Sequence, residues 1–241
     1  MGPEERERVV ASLPGEVTWD EMAMPEGDKH LRAKVRTLDL LEGYFSHQRR
    51  KVYVGAELPI YYPGERRFAP DLLVVLDVEA HEREKWVVSH EGKGLDWVLE
   101  VHVGGDRKKD AEHNVERYAR LGIPEYFIYD RARERLEGYR LPASGVKRYE
   151  RMEAKQGRYT SEVLGLELEV VNARLQIWAG NALLLESGEL VERMREKLEE
   201  VQRRVDEEAR LREQEARRRE EAERRIAELT AELERLQHRE E

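Results

Sequence analysis

The first clear periodicity in the chain begins at Gly27. Leu31, Val35, Leu38, Leu41 and Phe45 recur at steps of three and four, which predicts a helix with one apolar stripe turned to a core. Asp28 stands where an N-cap or first-turn acid helps such a helix. The period then changes. Lys51–Gly55 (KVYVG) and Glu57–Tyr62 (ELPIYY) are β-branched and aromatic and run into Pro63-Gly64, so they read as strands closed by a turn. Asp71–Leu76 (DLLVVL) reads as a buried strand entered from Pro70, and Asp96–Val103 (DWVLEVHV) as the next strong one. Between them His81–Gly94 is polar apart from Trp86, Val87 and Val88, and reads as an excursion or a hairpin. Asp106–Leu121 is helical and is ended by Gly122 and Pro124; Glu125–Asp130 (EYFIYD) is a further strand. Leu136–Leu141, Val146–Met152, Leu166–Val171 and Leu175–Trp178 then alternate with turns. The sum is an α/β (α+β) domain built on a mixed central sheet flanked by helices.

Past Ser187-Gly188 there is neither proline nor glycine. A heptad frame places Val191, Leu198, Val205, Arg212, Arg219, Ile226 and Leu233 at a, and Met194, Val201, Glu208, Glu215, Ala222, Leu229 and Leu236 at d. The seam is apolar at both ends and polar in the middle, where Ala209, Leu211 and Ala216 suggest a local shift of frame. A helical partner explains such a seam better than a solitary charged helix held by ion pairs at spacing four. The expected organisation is therefore an N-terminal extension (1–26), a globular domain (27–186) and a C-terminal coiled-coil helix (187–241), with a homodimer or other oligomer formed through 189–241.

Composition sharpens this division. The chain has 241 residues, of which 39% are charged, well above the roughly 25% of an ordinary domain. Residues 189–241 alone carry 18 acids and 14 bases, so the excess belongs to the tail. The absence of cysteine removes disulfides, thiolate metal sites and a cysteine nucleophile. No apolar run approaches a membrane span, and the charged opening MGPEERERVV is unlike a signal peptide, so a cytoplasmic protein without membrane attachment is expected. The net charge of −9 argues against a polyanion binder as a whole but leaves room for a local basic stripe.

Chemistry gathers on the DWVLEVHV strand. Its period of two puts Asp96, Val98, Glu100 and His102 on one face and Trp97, Leu99, Val101 and Val103 on the other. If the strand opened by Asp71 is its neighbour, two carboxylates and a histidine converge at one end of the sheet. Such a cluster needs a cation or a shared proton, and a hard divalent ion such as Mg²⁺ suits oxygen ligands. Taken singly, Asp71 also fits a turn cap, Glu100 an arginine pair, and His102 a satisfied core histidine. Arg107, Lys108, Lys109, His113, Arg117 and Arg120 make the following helix basic, and Lys109, His113, Arg117 and Arg120 share a face that could meet a phosphate backbone or simply solvent.

In order and motif, EGDKHLRAKVRTLDLLEGYF, FAPDLLVV, WVLEVH, DAEHNVERYARLGIPEYFIYD and LGLELEV…LQIW resemble the Uma-two family of restriction-endonuclease-like proteins, within the PD-(D/E)XK nuclease superfamily. YARLGIPEYFIYD is the most specific of these stretches, and the resemblance spans roughly residues 24–180. It implies a restriction-endonuclease-like fold and a metal-dependent endonuclease that hydrolyses DNA with Mg²⁺ or Mn²⁺. Asp71 and Glu100 would be the metal-binding carboxylates and the Val101 carbonyl a main-chain ligand. The superfamily's usual lysine position holds His102 here, and the helix position that relatives use in its place holds Asn114, on one helix face with Asp110 and Tyr118. His102 could orient or deprotonate the attacking water. Lys108, Lys109 or, with less support, Lys93 could supply the missing charge. The alternative to an active DNA endonuclease is a catalytically impaired nuclease-fold scaffold or regulatory protein acting through the coiled coil; an RNA or branched-nucleic-acid substrate is a third reading.

Overall fold

The structure, a computed structural model, describes residues 2–16, 27–104 and 108–237, and the side chains at 108–111 and 232–237 lie outside that description. Met1–Ser187 and Gly188–Glu241 form two compact units. The first opens with a short helix, α1 (Pro3–Ser12), inside the expected N-terminal extension, and continues with α2 (Asp28–Gln48). Then come β1 (Val52–Ala56), β2 (Ile60–Tyr61), β3 (Leu72–Leu76), β4 (Trp86–Val87), the one-turn α3 (Val88–Glu91) and β5 (Trp97–His102). Helix α4 (Lys108–Leu121) leads to β6 (Glu125–Asp130), β7 (Arg135–Arg140), β8 (Glu150–Arg151) and β9 (Tyr159–Ser161). The unit closes on β10 (Leu166–Val171), β11 (Arg174–Ala179) and β12 (Ala182–Leu183), and α5 (Ser187–Gln237) follows.

A six-stranded mixed sheet, in the order β1-β3-β5-β6-β7-β8, is the centre of the domain. Only β5 and β6 are parallel within it, and α4 is the crossover between them; every other pairing is antiparallel. The expected ELPIYY strand shrinks to β2, because Ile60-Tyr61 pairs in parallel with Trp86-Val87 of the polar excursion rather than with the main sheet. Gly122 ends α4 with φ +80°, a left-handed turn that its own N–H (to Ala119) and the Ile123 N–H (to Tyr118) close.

The two faces of the sheet have different covers. On one, Trp97, Leu99, Val101 and Phe127 pack with Leu40, Leu41 and Phe45 of α2 and with Leu166, Leu168, Leu175 and Ile177. The last four belong to a second, four-stranded antiparallel sheet, ordered β12-β11-β10-β9. On the other face Val98, Tyr126 and Ile128 meet Tyr118, Ala119 and Ile123 from α4 and its exit. The period-two reading of β5 is thus observed: Trp97, Leu99 and Val101 belong to one cluster and Val98 to the other. Glu125 is completely buried at the start of β6, where it accepts from Arg140 Nε and the Glu162 N–H at 2.8 and 2.9 Å and from the Ser161 hydroxyl, tying β9 to the main sheet.

Helix α2 departs from the stripe its apolar residues predict. Leu31 and Val35 are 56% and 55% exposed, while His30, Ala33, Lys34, Thr37, Leu40, Leu41 and Phe45 are buried. The helix is rotated so that its first three turns send polar side chains inward. The cause lies beneath them, in a pair of buried carboxylates.

Candidate active site

Strands β3 and β5 are antiparallel neighbours, with Leu72 opposite Leu99, so the residue entering β3 lies beside the end of β5. Asp71, held between Pro70 and the strand, is 5% exposed and Glu100 is 8% exposed. The Val101 N–H donates to Asp71 Oδ2 at 2.8 Å, and the Asp71 N–H donates to Glu100 Oε2 at 3.3 Å. Across the strand pair, Glu100 is therefore bonded to the amide of Asp71, and Asp71 to the amide of the residue after Glu100. From α4, the buried Tyr118 hydroxyl donates to Glu100 Oε1 at 2.7 Å.

The opposite side is closed by α2. His30 Nε2 is 3.1 Å from Asp71 Oδ2, and one turn later Lys34 Nζ is 3.4 Å from Asp71 Oδ1 and also pairs with Glu57. The i, i+4 spacing of His30 and Lys34 puts both on one helix face, over the carboxylates. Periodicity of apolar residues points the other way and misses both. The usable signal is the run His30, Lys34, Thr37, Leu41 at helical spacing, which becomes legible only once Asp71 is known to need a counter-charge.

These contacts divide the two acids. Burial pushes the Asp71 carboxyl up, but the His30 hydrogen bond and charge, the Val101 amide and Lys34 outweigh it and leave it below the usual aspartate range. Glu100 is pushed up to about 8, first by burial and then by the charge of Asp71, against the pull of Tyr118 and the Asp71 amide. Burial first, and then the Glu100 charge, also raise the Tyr118 phenol, which keeps its proton as a donor. Once Glu100 ionises, Glu57, Asp71 and Glu100 face one ammonium and one imidazole, and the added negative charge is one that a further cation would offset.

The other expected residues are dispersed. His102 follows Glu100 on the same strand face, half-buried, and lies opposite Asp130 of β6, whose carboxyl is held below its usual range by the Arg133 N–H and side chain, with a smaller pull from His102, against the effect of burial. Lys93 is placed away from the site: its ammonium donates to the Leu76 carbonyl at 2.6 Å and pairs with Asp96 at 2.9 Å, at the far end of β3 from Asp71. Arg107 and the side chains of Lys108, Lys109 and Asp110 lie outside the described residues. Asn114 is half-buried and His113 exposed. Arg117 is drawn inward, its Nε 3.2 Å from Glu65 and its guanidinium 4.5 Å over the Phe68 ring, whereas Arg120 pairs with the same Glu65 at 2.9 Å and stays 58% exposed. Among the described residues no group of three or more His, Asp or Glu side chains converges as a metal-ligand set, and no helix is long and apolar enough to cross a membrane.

No curated protein matches the chain. A solved structure, of a putative nuclease belonging to DUF820 from Anabaena variabilis ATCC 29413, is similar at 16% identity with a TM-score of 0.48. That similarity covers 63% of this chain and 82% of the other. The family model described as "Uma2: Putative restriction endonuclease" matches residues 11–175, which include α2, both carboxylate-bearing strands and α4. The chain belongs to the Uma2 family.

Proposed function

We propose that the protein is a metal-dependent endonuclease that hydrolyses DNA phosphodiester bonds at the end of the β3–β5 pair. The observation that carries this is the apposition of two buried carboxylates, Asp71 and Glu100, beside one buried lysine. The donor set fits a hard divalent cation such as Mg²⁺ or Mn²⁺: two carboxylates and the Val101 carbonyl supply oxygen, and with few protein ligands the remaining positions belong to water and phosphate. When bound, such an ion supplies the Lewis acidity that activates water and offsets phosphate charge.

The chain's own residues do the rest. Tyr118 and the Asp71 N–H hold the Glu100 carboxyl from both oxygens, and His30 with the Val101 N–H fixes Asp71. Lys34, reaching the acids from α2 rather than from β5 or α4, is the candidate to replace the lysine that this chain lacks at positions 102 and 114. Its ammonium, already within 3.4 Å of Asp71, is the candidate for stabilising negative charge as the phosphate is attacked. His102, one strand step beyond Glu100, is the candidate base. DNA would approach over Arg120 and His113, while Arg117, clamped by Glu65, positions that helix face. The exposed apolar seam of α5 would join two copies.

The test is nicking of supercoiled plasmid with Mg²⁺ or Mn²⁺. Asp71→Ala and Glu100→Ala should abolish nicking, and Lys34→Met should lower its rate by about two to three orders of magnitude, as for loss of one electrostatic donor. Nicking that survives both carboxylate substitutions would sink the assigned site. A well-folded wild type that never nicks would favour the scaffold reading.

A further inference from the structure

Helix α5 carries its apolar seam in the open. Val191, Met194, Leu198, Val201, Val205, Ile226 and Leu229 are each between 47% and 70% exposed. The seam is interrupted in its middle by four charged positions, Glu208, Arg212, Glu215 and Arg219, which share the a and d face with the apolar residues. In the single chain Arg212 lies 3.9 Å from Glu208, and both remain largely exposed. Their order specifies what covers the seam.

Resting on the reading that α5 joins two copies, we propose that the occupant is a second α5 running antiparallel, in one register. In an antiparallel pair an a position of one helix meets a d position of the other. With the two helices overlapped along their full length, Leu198 meets Leu229 of the partner subunit, Val201 meets Ile226 of the partner subunit, and Val205 meets Ala222 of the partner subunit. The next two layers pair Glu208 with Arg219 of the partner subunit and Arg212 with Glu215 of the partner subunit, and the two-fold axis repeats all of them. By sequence, Val191 and Met194 fall opposite the partner's Leu236 and the partner's Leu233. Each apolar layer then meets an apolar layer, and each charged layer an opposite charge.

No other simple arrangement does this. A parallel pair sets each of the four charged positions against its own copy: two Glu–Glu and two Arg–Arg layers in the seam. Slipping the antiparallel pair by one heptad puts Glu208 against the partner's Ile226 in one direction, or Val201 against the partner's Arg219 in the other. The flanking positions do not decide, since Lys197 opposite the partner's Glu232 is offset by Arg204 opposite the partner's Arg225. Charged seam layers weaken a coiled coil but select its register and orientation, because the wrong partners leave like charges desolvated together.

The full-length chain tests this directly, because it contains no cysteine and one can be added anywhere. Glu199→Cys, on the polar face, carries a spin label. At 1.5 Å per residue the antiparallel register puts the two labels about 45 Å apart. A parallel pair, with axes about 10 Å apart, puts them roughly 20–25 Å apart. The second measurement is the dimer dissociation constant by analytical ultracentrifugation. Glu208→Arg with Glu215→Arg turns all four mixed layers into Arg–Arg and should weaken the dimer about a hundredfold or more, and adding Arg212→Glu with Arg219→Glu should restore it. A short label distance, or a dimer indifferent to the first pair of changes, overturns the orientation while two copies remain joined. A chain monomeric at about 100 μM overturns the joined copies as well, since an apolar seam of this length should associate well below that concentration. None of these outcomes bears on nicking, which is measured separately.

Discussion

Glu100→Gln offers the most direct physical test of the carboxylate pair, because it removes a charge from a place that resists one. Without a bound metal, burial and then the Asp71 charge push Glu100 up to about 8 from its ordinary 4.5. An acid whose folded value is raised prefers to be protonated in the folded state, so its contribution to stability falls as pH rises from about 4.5 toward 8 and is fully lost above that. At 1.36 kcal/mol per pH unit, the difference between the two values corresponds to on the order of 4–5 kcal/mol by pH 9. Asp71 acts in the opposite sense: its lowered value adds stability above pH 4 that disappears as pH falls through the folded value. Between them these two groups favour a pH near 5 in the metal-free protein. Glu100 accepts the Tyr118 hydroxyl and the Asp71 N–H on different oxygens, of which glutamine keeps only one, and this adds a pH-independent cost of about 1–2 kcal/mol. The slope is the readout. Urea denaturation in EDTA, at intervals from pH 5 to 9, should show wild type losing several kcal/mol while Glu100→Gln stays nearly flat, the curves crossing near pH 6. Parallel curves would refute the reasoning and mean that Glu100 ionises in the fold without penalty.

Three other outcomes are expected. Arg140→Leu should cost about 2–4 kcal/mol in urea denaturation, because it strips the fully buried Glu125 of its paired guanidinium, and Glu125→Gln in that background should recover part of the loss. Gly138→Ala on β7 should cost about 1–3 kcal/mol, read as a lower melting temperature, since the added Cβ would sit 2.9 Å from Phe127 Cε1 and 3.0 Å from Met152 Sδ. Tyr118→Phe should destabilise by about 1–3 kcal/mol at pH 9, where Glu100 is ionised, and less at pH 5, as followed by circular dichroism.

What could be read from the sequence followed local physics. Pro70-Asp71, the alternation through Glu100 and the Gly122-Pro124 stop each depend on a few neighbouring residues, and the elements stand where those signals put them. β9 and β12 are two or three residues long and exist through pairing with β10 and β11, which no local pattern announces. Helix α2 was legible as a helix but not in its rotation. Hydrophobicity places Leu31 and Val35 inside. The buried charge of Asp71 and Glu100 instead draws in His30 and Lys34, because an unpaired buried carboxylate costs more than two exposed aliphatic side chains. The site was thus half visible: the acids on the strands, but not the cation across from them.

The candidate site draws on residues 30, 34, 71, 100 and 118, which come from four elements separated by most of the domain. The β1–β3 hairpin can form early, from contacts within about 25 residues of chain. The β5–β6 pair must wait for the α4 crossover, since parallel strands close a long loop before any hydrogen bond rewards it. As the chain emerges during synthesis, Asp71 and Glu100 are therefore present well before Tyr118 has docked, without the geometry that fixes them. A site assembled this way is complete only once α4 has docked, and a fragment that ends before α4 carries both acids without the Tyr118 contact.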